Sequence, residues 1–341
     1  MPGWSTLAGM ISGPWGKVMQ DLLTPLITGD RRALSRAITL VESTRADHRQ
    51  MAQDLIAGLP DRQALRIGLS GTPGVGKSTF IEAFGTKLTE QGLNVAVLAV
   101  DPSSTRSGGS ILGDKTRMET LARNPRAFIR PSPSNTHLGG VARRTREAIR
   151  LCEAAGYDIV IIETVGVGQS ETLVADMSDL FILLLAPAGG DELQGVKRGI
   201  MEMADLILVN KADGDLLSPA TRTVADYAGA LRLLRKRPQD PEGFPKALPV
   251  SATTGAGLDA AWSQMLHLAG WRRDHGHLDR NRAEQARQWF WSELRGGLLA
   301  KLDRPNVKAR VDTLGQKVAQ GDLPPARAAQ DILDWLDDHR E

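Results

Sequence analysis

The sequence predicts an α/β fold with a doubly wound, mostly parallel sheet that is flanked by helical extensions at both ends. Between residues 64 and 270, short runs rich in Val, Ile and Leu alternate with segments of helical periodicity. This alternation is typical of βαβ units whose strands are buried on both faces. Aromatic residues make up only 4% of the chain, so we expect a mostly aliphatic core, as in buried parallel sheets.

The predicted strands are the apolar runs of this central region. Runs this short favour buried parallel strands over helices. In chain order they are 65–69, 95–100, a weaker run at 127–129, 159–162, 180–186, 206–209 and 248–250.

Both ends of the chain are predicted to be helical. Asp30 can cap a helix whose apolar residues recur at helical spacing, and a second helix ends at Gly58. After residue 281 the helical pattern returns, with breaks at Pro305 and at 321–325. We therefore expect three parts: an N-terminal helical extension (1–63), the α/β domain (64–270) and a C-terminal helical arm (271–341).

The composition disfavours several classes of protein. The chain has 42 Lys and Arg against 40 Asp and Glu, with both signs interspersed, so we do not expect nucleic acid as a partner. The basic stretch 232–237 is expected to be a solvated helix end. A single cysteine, Cys152, excludes a disulfide framework and a multi-cysteine metal site, and it fits a reducing, cytoplasmic location. We expect neither a membrane span nor a signal peptide.

A glycine-rich loop between the first predicted strand and a helical stretch at 80–88 matches the pattern G-x-x-x-x-G-K-[ST]. Its glycines let backbone N–H groups turn toward phosphate oxygens, and the helix N-terminus adds a partial positive charge. Lys77 is expected to reach the β- and γ-phosphates, and the Ser78 hydroxyl to bind Mg²⁺. This predicts a P-loop NTPase domain whose phosphate-binding residues are Gly71, Thr72, Pro73, Gly74, Val75, Gly76, Lys77, Ser78 and Thr79.

The pattern N-K-x-D follows the predicted strand 206–209 and indicates which base is bound. The carboxylate of Asp213 can accept hydrogen bonds from N1–H and N2–H of guanine, whereas adenine would leave that carboxylate unpaired. Lys211 can lie across the base, and Asn210 can form local hydrogen bonds. After the last predicted strand, backbone N–H groups can donate to guanine O6. The sequence therefore predicts a G domain that binds GTP rather than ATP, through Asn210, Lys211, Asp213, Ser251, Ala252 and Thr253.

Two carboxylates follow other predicted strands, at the edge of the sheet where ligands bind in open α/β folds. Asp101 comes directly after the strand 95–100, and Glu163 comes directly after the strand 159–162. Glu163 stands where many P-loop proteins have an Asp that holds Mg²⁺ through water, and Gly166 can turn its N–H toward the γ-phosphate. The alternatives are a helix cap for Asp101 and a salt bridge for Glu163.

The expected catalytic set is Lys77, Glu163 and Gly166. The residue after Gly166 is Val167, not a Gln that could orient an attacking water. We therefore expect slow intrinsic hydrolysis of GTP unless a partner or a rearranged loop supplies the missing group.

Longer motifs surround these sites. They are G-D-R-R-A-L at 29–34, I-T-L-V-E-S at 38–43, D-P-S-S at 101–104, G-S-I-L-G-D-K-T-R-M at 109–118, E-T-V-G-V-G-Q-S-E at 163–171 and G-G-D-E-L-Q-G-V-K at 189–197. Together with the P-loop they resemble the MeaB/ArgK family of G proteins, which serve as chaperones of adenosylcobalamin-dependent methylmalonyl-CoA mutase. The resemblance covers roughly residues 30–335.

The resemblance implies a function and a partner. It implies a GTPase, converting GTP to GDP and phosphate, that serves as chaperone of an adenosylcobalamin-dependent acyl-CoA mutase, with methylmalonyl-CoA mutase expected first. The chaperone is implied to gate cofactor loading and to protect or reactivate the mutase. The C-terminal arm is implied to form a homodimer.

The resemblance also implies roles for individual residues. Asp101, Asp114 and Glu163 are implied to surround the Mg²⁺ ion together with Ser78. The loop 189–197 is implied to be a switch that relays the nucleotide state to the mutase. Its charged and polar residues are Asp191, Glu192, Gln194 and Lys197.

Two other classes of GTPase stay open at this point. GTPases for metal insertion, of the hydrogenase or urease maturation type, share a similar G domain but carry Cys and His clusters. Cys152 is alone in a predicted helix (144–155) and is expected to pack as a small apolar residue. A translation or signalling GTPase is disfavoured by the balanced charge and by Glu163 in the metal-holding position.

Overall fold

The computed structural model of the chain describes residues 16–100, 118–131, 138–164, 170–187, 198–234 and 237–338. These residues divide into two compact units, with the division after Gln285. The first unit contains a parallel sheet and the helices packed on it, and the second consists of helices.

Seven parallel strands form the sheet of the first unit, in the order β3-β2-β4-β1-β5-β6-β7. The central β1 pairs with β4 on one side and with β5 on the other. This confirms the predicted doubly wound sheet. The strands are β1 Leu65–Ser70, β2 Val95–Val100, β3 Ala127–Arg130, β4 Ile159–Thr164, β5 Leu180–Leu185, β6 Leu206–Val209 and β7 Lys246–Pro249.

Most of the predicted strands agree with the observed ones to within two residues, and β7 differs most. The apolar run at 248–250 marked the last strand, but β7 begins at Lys246. Its first residues, Lys246 and Ala247, are half-exposed at the edge of the sheet. An edge strand does not need apolar residues throughout, so the apolar run marks only its end.

The helices of the first unit follow the predicted pattern. α2 begins after Asp30, whose Oδ1 accepts the backbone N–H of Ala33 at 2.6 Å, which confirms the predicted cap. The first three helices pack on one another and on α6. The helices are α1 Gly16–Ile27, α2 Arg31–Glu42, α3 Ala46–Ala57, α4 Lys77–Glu90, α5 Glu119–Arg123, α6 Leu138–Ala154, α7 Ser170–Ala175, α8 Arg198–Met203, α9 Leu217–Arg232, α10 Leu258–Asp274 and the first turns of α11 His277–Leu302.

The main hydrophobic cluster of the first unit is aliphatic apart from three aromatic side chains. Phe80 and Phe84 of α4 stack with their ring centroids 5.3 Å apart, and Trp262 of α10 meets Phe84 edge-on at 5.7 Å. Cys152 in α6 is fully buried, and this burial raises the pKa of its thiol. Cys152 therefore packs as a small apolar residue, as predicted.

Charged side chains are buried in pairs at the amino edge of the sheet, where the strands begin. The guanidinium of Arg66 in β1 meets the carboxylate of Glu153 at 2.8 and 3.0 Å. Asp179, just before β5, accepts the backbone N–H of Arg66 at 2.9 Å and the Nε–H of Arg282 at 2.8 Å. Arg282 also donates to the carbonyl oxygen of Ala64 at 2.6 Å. These contacts attach the first turns of α11 to the sheet.

A second buried group of charges surrounds Asp205, just before β6. Asp205 accepts hydrogen bonds from Arg272 at 2.6 Å and from Arg237 at 2.7 Å. Asp240 accepts from Arg272 at 2.8 Å, and burial raises the pKa of Asp240 against the attraction of this partner. The interpretation of 232–237 as a solvated helix end is therefore wrong at Arg237. α9 ends at Arg232, and Arg237 turns inward because buried carboxylates pair with it.

The second unit begins inside α11 and continues through α12 Pro305–Gln320 and α13 Pro325–Asp338. Pro305 begins α12 and Gly321 ends it in a left-handed conformation (φ 82°), so both predicted breaks are confirmed. The guanidinium of Arg310 lies 5.6 Å from the ring centroid of Trp335, which joins α12 to α13. No helix in the described ranges combines the length and the apolar character needed to cross a membrane.

We expect Asp179→Ala to destabilise the fold strongly. The change leaves the guanidinium of Arg282 and the backbone N–H of Arg66 without this buried acceptor, and breaking such a pair costs about 3–5 kcal/mol. Urea unfolding measures the free energy of unfolding.

Asp259→Ala is the matched control for this prediction. Asp259 pairs with Lys87 at 2.7 Å, but its side chain is 78% exposed. We expect a loss of less than about 1 kcal/mol there. Equal losses in the two variants would contradict a stabilising role for the buried pair.

Candidate functional site

The P-loop connects the end of β1 at Ser70 to the start of α4 at Lys77. Two of its glycines are required because the loop lies directly against the ends of other strands. A Cβ on Gly71 would lie 2.3 Å from the carbonyl oxygen of Leu184 in β5. Gly76 has a φ of 91°, and a Cβ there would lie 2.7 Å from Nδ2 of Asn210. The loop therefore turns at the N-terminus of α4, as a phosphate site requires.

Lys77 is the first residue of α4 and its ammonium lies within the P-loop. Nζ donates to the carbonyl oxygen of Gly71 at 2.6 Å and to that of Thr72 at 3.3 Å. This position lets the charge meet phosphate oxygens held by the loop. Among the other loop residues, Thr72, Pro73, Gly74 and Thr79 are exposed, Ser78 is half-buried, and Val75 packs in the core.

Asn210, directly after β6, joins the phosphate-binding loop to the base-binding loop. Its Nδ2 donates to the carbonyl oxygen of Val75 at 2.9 Å, and its Oδ1 accepts the backbone N–H of Ala252 at 3.0 Å. Its own backbone N–H donates to Leu185 at the end of β5 at 2.7 Å. Asn210 is 2% exposed. We expected local hydrogen bonds here, but both partners of the side chain belong to other loops.

The charged residues of N-K-x-D lie beside this amide. Lys211 adopts a left-handed conformation (φ 57°), and its Nζ donates to the carbonyl oxygen of Gly74 at 2.8 Å. Asp213 accepts a hydrogen bond from the hydroxyl of Ser251. Ser251 Oγ also accepts the backbone N–H of Thr254 at 3.1 Å. The structure therefore places Asp213 against the Ser251 side chain, next to buried Ala252 and exposed Thr253.

The sequence analysis missed a contact of the Ser251 side chain, because it considered only the backbone N–H groups of this loop. The sequence does carry a signal for this contact: a serine that follows a strand and stands two residues before a pair of threonines. Short hydroxyl side chains form hydrogen bonds within such turns. The geometry fixes one oxygen of Asp213 and orients the carboxylate.

Glu163 lies near the end of β4, between β1 and β2. In the ladders it is paired with Leu69 of β1 and with Ala99 of β2, and it is 3% exposed. The next residue, Thr164, donates its hydroxyl to Oγ of Ser70 at 3.2 Å. This buried hydroxyl pair, which the sequence analysis also missed, joins the end of β4 to the residue before the P-loop.

The donor atoms of the described residues fit the predicted Mg²⁺ site. Ser78 and Glu163 supply hydroxyl and carboxylate oxygens, which are the ligands that Mg²⁺ prefers. Within the described ranges, no three His, Cys, Asp or Glu side chains form a group that could hold a metal ion. The remaining predicted residues lie outside the described residues: Asp101, Asp114, Gly166, Asp191, Glu192, Gln194 and Lys197.

Comparisons with known proteins identify the relatives of this chain. It matches the family model described as Methylmalonyl Co-A mutase-associated GTPase MeaB over residues 34–306. It is 50% identical over 330 residues to a mouse (Mus musculus) protein named methylmalonic aciduria type A homolog, mitochondrial, which covers 93% of this chain and 79% of that protein. It is 49% identical over 274 residues to the GTPase ArgK of Escherichia coli K12, which covers 80% of this chain and 82% of that protein.

A solved structure has a similar fold over the whole chain. The crystal structure of an LAO/AO transport system kinase superposes with a TM-score of 0.70 and 35% sequence identity, and the match covers 99% of both chains. The P-loop NTPase fold predicted from the sequence is confirmed by this similarity together with the sheet topology.

Gly76→Ala is expected to weaken nucleotide binding beyond its effect on stability. A Cβ at Gly76 must displace the amide of Asn210, which lies 2.7 Å away. Calorimetric titration with GDP should show an affinity lowered about ten-fold or more, because a hydrogen bond at the site is lost or distorted.

Gly92→Ala is the control for backbone strain. Gly92 has a φ of 87°, close to that of Gly76, but nothing lies within 4 Å of a Cβ placed there. Alanine at this position incurs left-handed strain of about 1–2 kcal/mol and should leave the affinity for GDP unchanged. If both variants bound GDP as the wild type does, the amide of Asn210 would not be needed for binding.

Proposed function

The chain belongs to the MeaB family of methylmalonyl-CoA mutase-associated GTPases, and on this premise we propose that it hydrolyses GTP to GDP and phosphate as the chaperone of an adenosylcobalamin-dependent acyl-CoA mutase. Methylmalonyl-CoA mutase is the partner we place first, because the family model carries its name. In this proposal the bound nucleotide gates the loading of intact cofactor and the protection or reactivation of the mutase.

The observation that carries the nucleotide part of the proposal is the buried amide of Asn210. Its two hydrogen bonds, at 2.9 and 3.0 Å, connect the P-loop to the loop after β7. A nucleotide bound to the P-loop through its phosphates would therefore present its base to Asp213 and Ala252. The connection supports one site for the whole nucleotide.

Phosphate binding would depend on Lys77 and on the amides at the start of α4. The ammonium of Lys77 stabilises the negative charge that shifts toward the β,γ-bridge as the bond to the γ-phosphate breaks. Mg²⁺, when bound, would add positive charge to the same oxygens. Ser78 and Glu163 would hold this ion, together with Asp101 and Asp114.

Base recognition would depend on Asp213. The carboxylate accepts the Ser251 hydroxyl at one oxygen, which orients the group toward the donors N1–H and N2–H of guanine. Adenine lacks this pair of donors, so it would leave the desolvated carboxylate unpaired. Lys211 contacts the P-loop at Gly74 and would cover the base. This is our reason for proposing GTP hydrolysis although the similar solved structure is named a kinase.

Coupling to the mutase is proposed to run through the segment between β5 and α8. The end of β5 is attached to the base-binding loop, because Leu185 accepts the backbone N–H of Asn210 at 2.7 Å. A segment that begins at this point can adopt different arrangements with and without the γ-phosphate. We assign the switch to 189–197, with Asp191, Glu192, Gln194 and Lys197 as its polar residues and Gly166 near the γ-phosphate.

The C-terminal helices are proposed to form a homodimer, and we keep the division into an N-terminal extension (1–63), a G domain (64–270) and an arm (271–341). α11 has a row of exposed apolar side chains, and such a row favours burial against a second copy. The exposed apolar residues of α11 are Phe290, Trp291, Leu294, Leu298 and Leu299.

A single reduced cysteine suits the cytoplasm, where we place the reaction.

Asp213→Asn should change the base preference from guanine to xanthine. The substitution replaces an accepting oxygen by an NH₂ group, which faces the donors of guanine. We expect weaker binding of GTP and a gain for xanthosine triphosphate, whose base carries a carbonyl where guanine carries its amino group. Asp215→Asn is the matched control, because this exposed residue on the same loop lies outside the proposed contact. Unchanged GTP affinity in Asp213→Asn would remove the base assignment.

Hydrolysis in the presence of a purified mutase tests the chaperone part separately. We expect methylmalonyl-CoA mutase to stimulate turnover of GTP by the wild type, and by linkage to bind the GTP and GDP forms with different affinity. Lys197→Ala should bind GTP normally but respond less to the mutase, and Lys77→Ala should be inactive with and without it. If no cobalamin-dependent acyl-CoA mutase stimulated the wild type, GTP hydrolysis could stand but the partner would be wrong.

A further inference from the structure

A cleft lies at the far side of the sheet from β7, at the carboxyl ends of β2 and β3. It is small and partly open to solvent, with a cavity volume of about 20 Å³. Its walls are apolar side chains, two arginines (Arg130 at the end of β3 and Arg144 on α6), the carboxylate of Glu42 and the hydroxyl of Thr145. The apolar part consists mainly of Leu98, Val141 and Ala148.

Arg144 lines this cleft as a buried cation that lacks a counter-ion among the described residues. It is 8% exposed. Within the described ranges its Nε–H has no acceptor, and no carboxylate forms an ion pair with it. Burial, and next the charge of Arg143, lowers the pKa of the Arg144 guanidinium. A guanidinium in this position is unfavourable unless an anion joins it.

The carboxylates near Arg144 are already engaged by other arginines. Glu42 accepts hydrogen bonds from both the Nε–H and a terminal N–H of Arg130. Glu147 is bound by Arg143 at 3.1 Å on the same helix. The charges of Glu42 and Glu147 nevertheless raise the pKa of Arg144, against burial and the charges of Arg143 and Arg49, which lower it. Among the described residues of the cleft wall there are two guanidinium groups, of Arg130 and Arg144, and one carboxylate, of Glu42.

Two arginines buried to the same degree elsewhere in the first unit have carboxylate partners. Arg66 is 6% exposed and binds Glu153 with two hydrogen bonds. Arg272 is 8% exposed and is held by Asp205 and Asp240. The fold thus neutralises these two charges with its own carboxylates, whereas no carboxylate in the described ranges forms an ion pair with Arg144.

We propose that the cleft binds a small oxyanion, through a carboxylate or phosphate group, on the guanidinium of Arg144. The planar guanidinium matches the two oxygens of such a group, and its apolar surroundings strengthen the attraction. Water alone could accept the Nε–H but would not balance the charge. Arg130 also lines the cleft and is held in place by Glu42.

The cleft is separate from the P-loop, and its wall residue Ala99 is the ladder partner of Glu163. In the sheet order β3-β2-β4-β1, the cleft adjoins the first two strands and the P-loop follows the fourth. With strands about 4.8 Å apart, the cleft lies on the order of 10–14 Å from the strand of the P-loop. The proposal therefore does not depend on GTP binding, and the two can fail independently.

Titration of the full chain tests the proposal. The protein is saturated with GDP and Mg²⁺ to occupy the P-loop, and calorimetry follows sodium phosphate and sodium acetate, with sodium chloride at matched ionic strength as reference. The same titrations in Lys77→Ala separate the cleft from the P-loop. We expect binding of at least one of the two oxyanions in the wild type and affinity at least about ten-fold weaker in Arg144→Met. Binding of acetate alone would identify carboxylates as the ligand, and binding of phosphate alone would identify phosphates.

Arg143→Met is the matched control, since it removes the adjacent guanidinium of α6, which Glu147 already pairs. It should bind the oxyanion as the wild type does. Equal binding in Arg144→Met and the wild type, or no binding of either oxyanion by the wild type, would overturn the proposal.

Thermal unfolding without added oxyanion gives a second test that does not require binding to be detected. Arg144→Met should unfold at the same temperature as the wild type or higher, because it removes a buried charge without a counter-ion. Arg66→Met should unfold at a lower temperature, because it removes the two hydrogen bonds that Arg66 donates to the buried carboxylate of Glu153. A large loss of stability or failure to fold in Arg144→Met, with Arg144→Lys stable, would show that the fold itself neutralises Arg144 and would refute an external ligand.

Discussion

One buried amide determines how the candidate nucleotide site is built. The side chain of Asn210 spans from Val75 of the P-loop to Ala252 of the loop after β7. It can do so because β1, β5 and β6 are neighbours in a parallel sheet, so that their carboxyl ends meet at one edge. Gly76 must lack a side chain for the same reason, since the amide occupies that space. The order of the strands thus fixes the positions of the phosphate-binding and base-binding loops relative to each other. A shift of one loop would break its hydrogen bond to Asn210.

The sequence predicted the parts of this arrangement that depend on neighbouring residues. Apolar runs located the strands, and the spacing of glycines and Lys77 located the P-loop. The contact of Ser251 with Asp213 was missed because it joins two loops 38 residues apart, and no local pattern reports such a pair. Arg237 was misjudged for a related reason: a basic residue beside other basic residues resembles a solvated helix end until its buried partner, Asp205, is known.

Charged side chains have different partners at the two edges of the sheet. At the amino edge, Arg66 and Arg272 are desolvated together with carboxylates of the same chain, and these pairs attach helices to strands. At the carboxyl edge, Lys77 donates to two backbone carbonyl oxygens of the P-loop, and Arg144 lines a cleft. Charges of the first kind stabilise the fold, whereas charges of the second kind lie where we propose that ligands bind. The separation allows ligand binding at one edge without disturbing the contacts that hold α11 at the other.

The burial of Cys152 has a practical consequence for chemical labelling. The sequence contains one cysteine, and burial keeps its thiol both protonated and inaccessible to reagents. A cysteine introduced on the surface would therefore react selectively with a maleimide dye while the native residue stays in place. Fluorophores could be attached to α11 or to α8 in an otherwise unmodified chain. Energy transfer between them would report distances in solution, with each labelled position chosen by the experimenter.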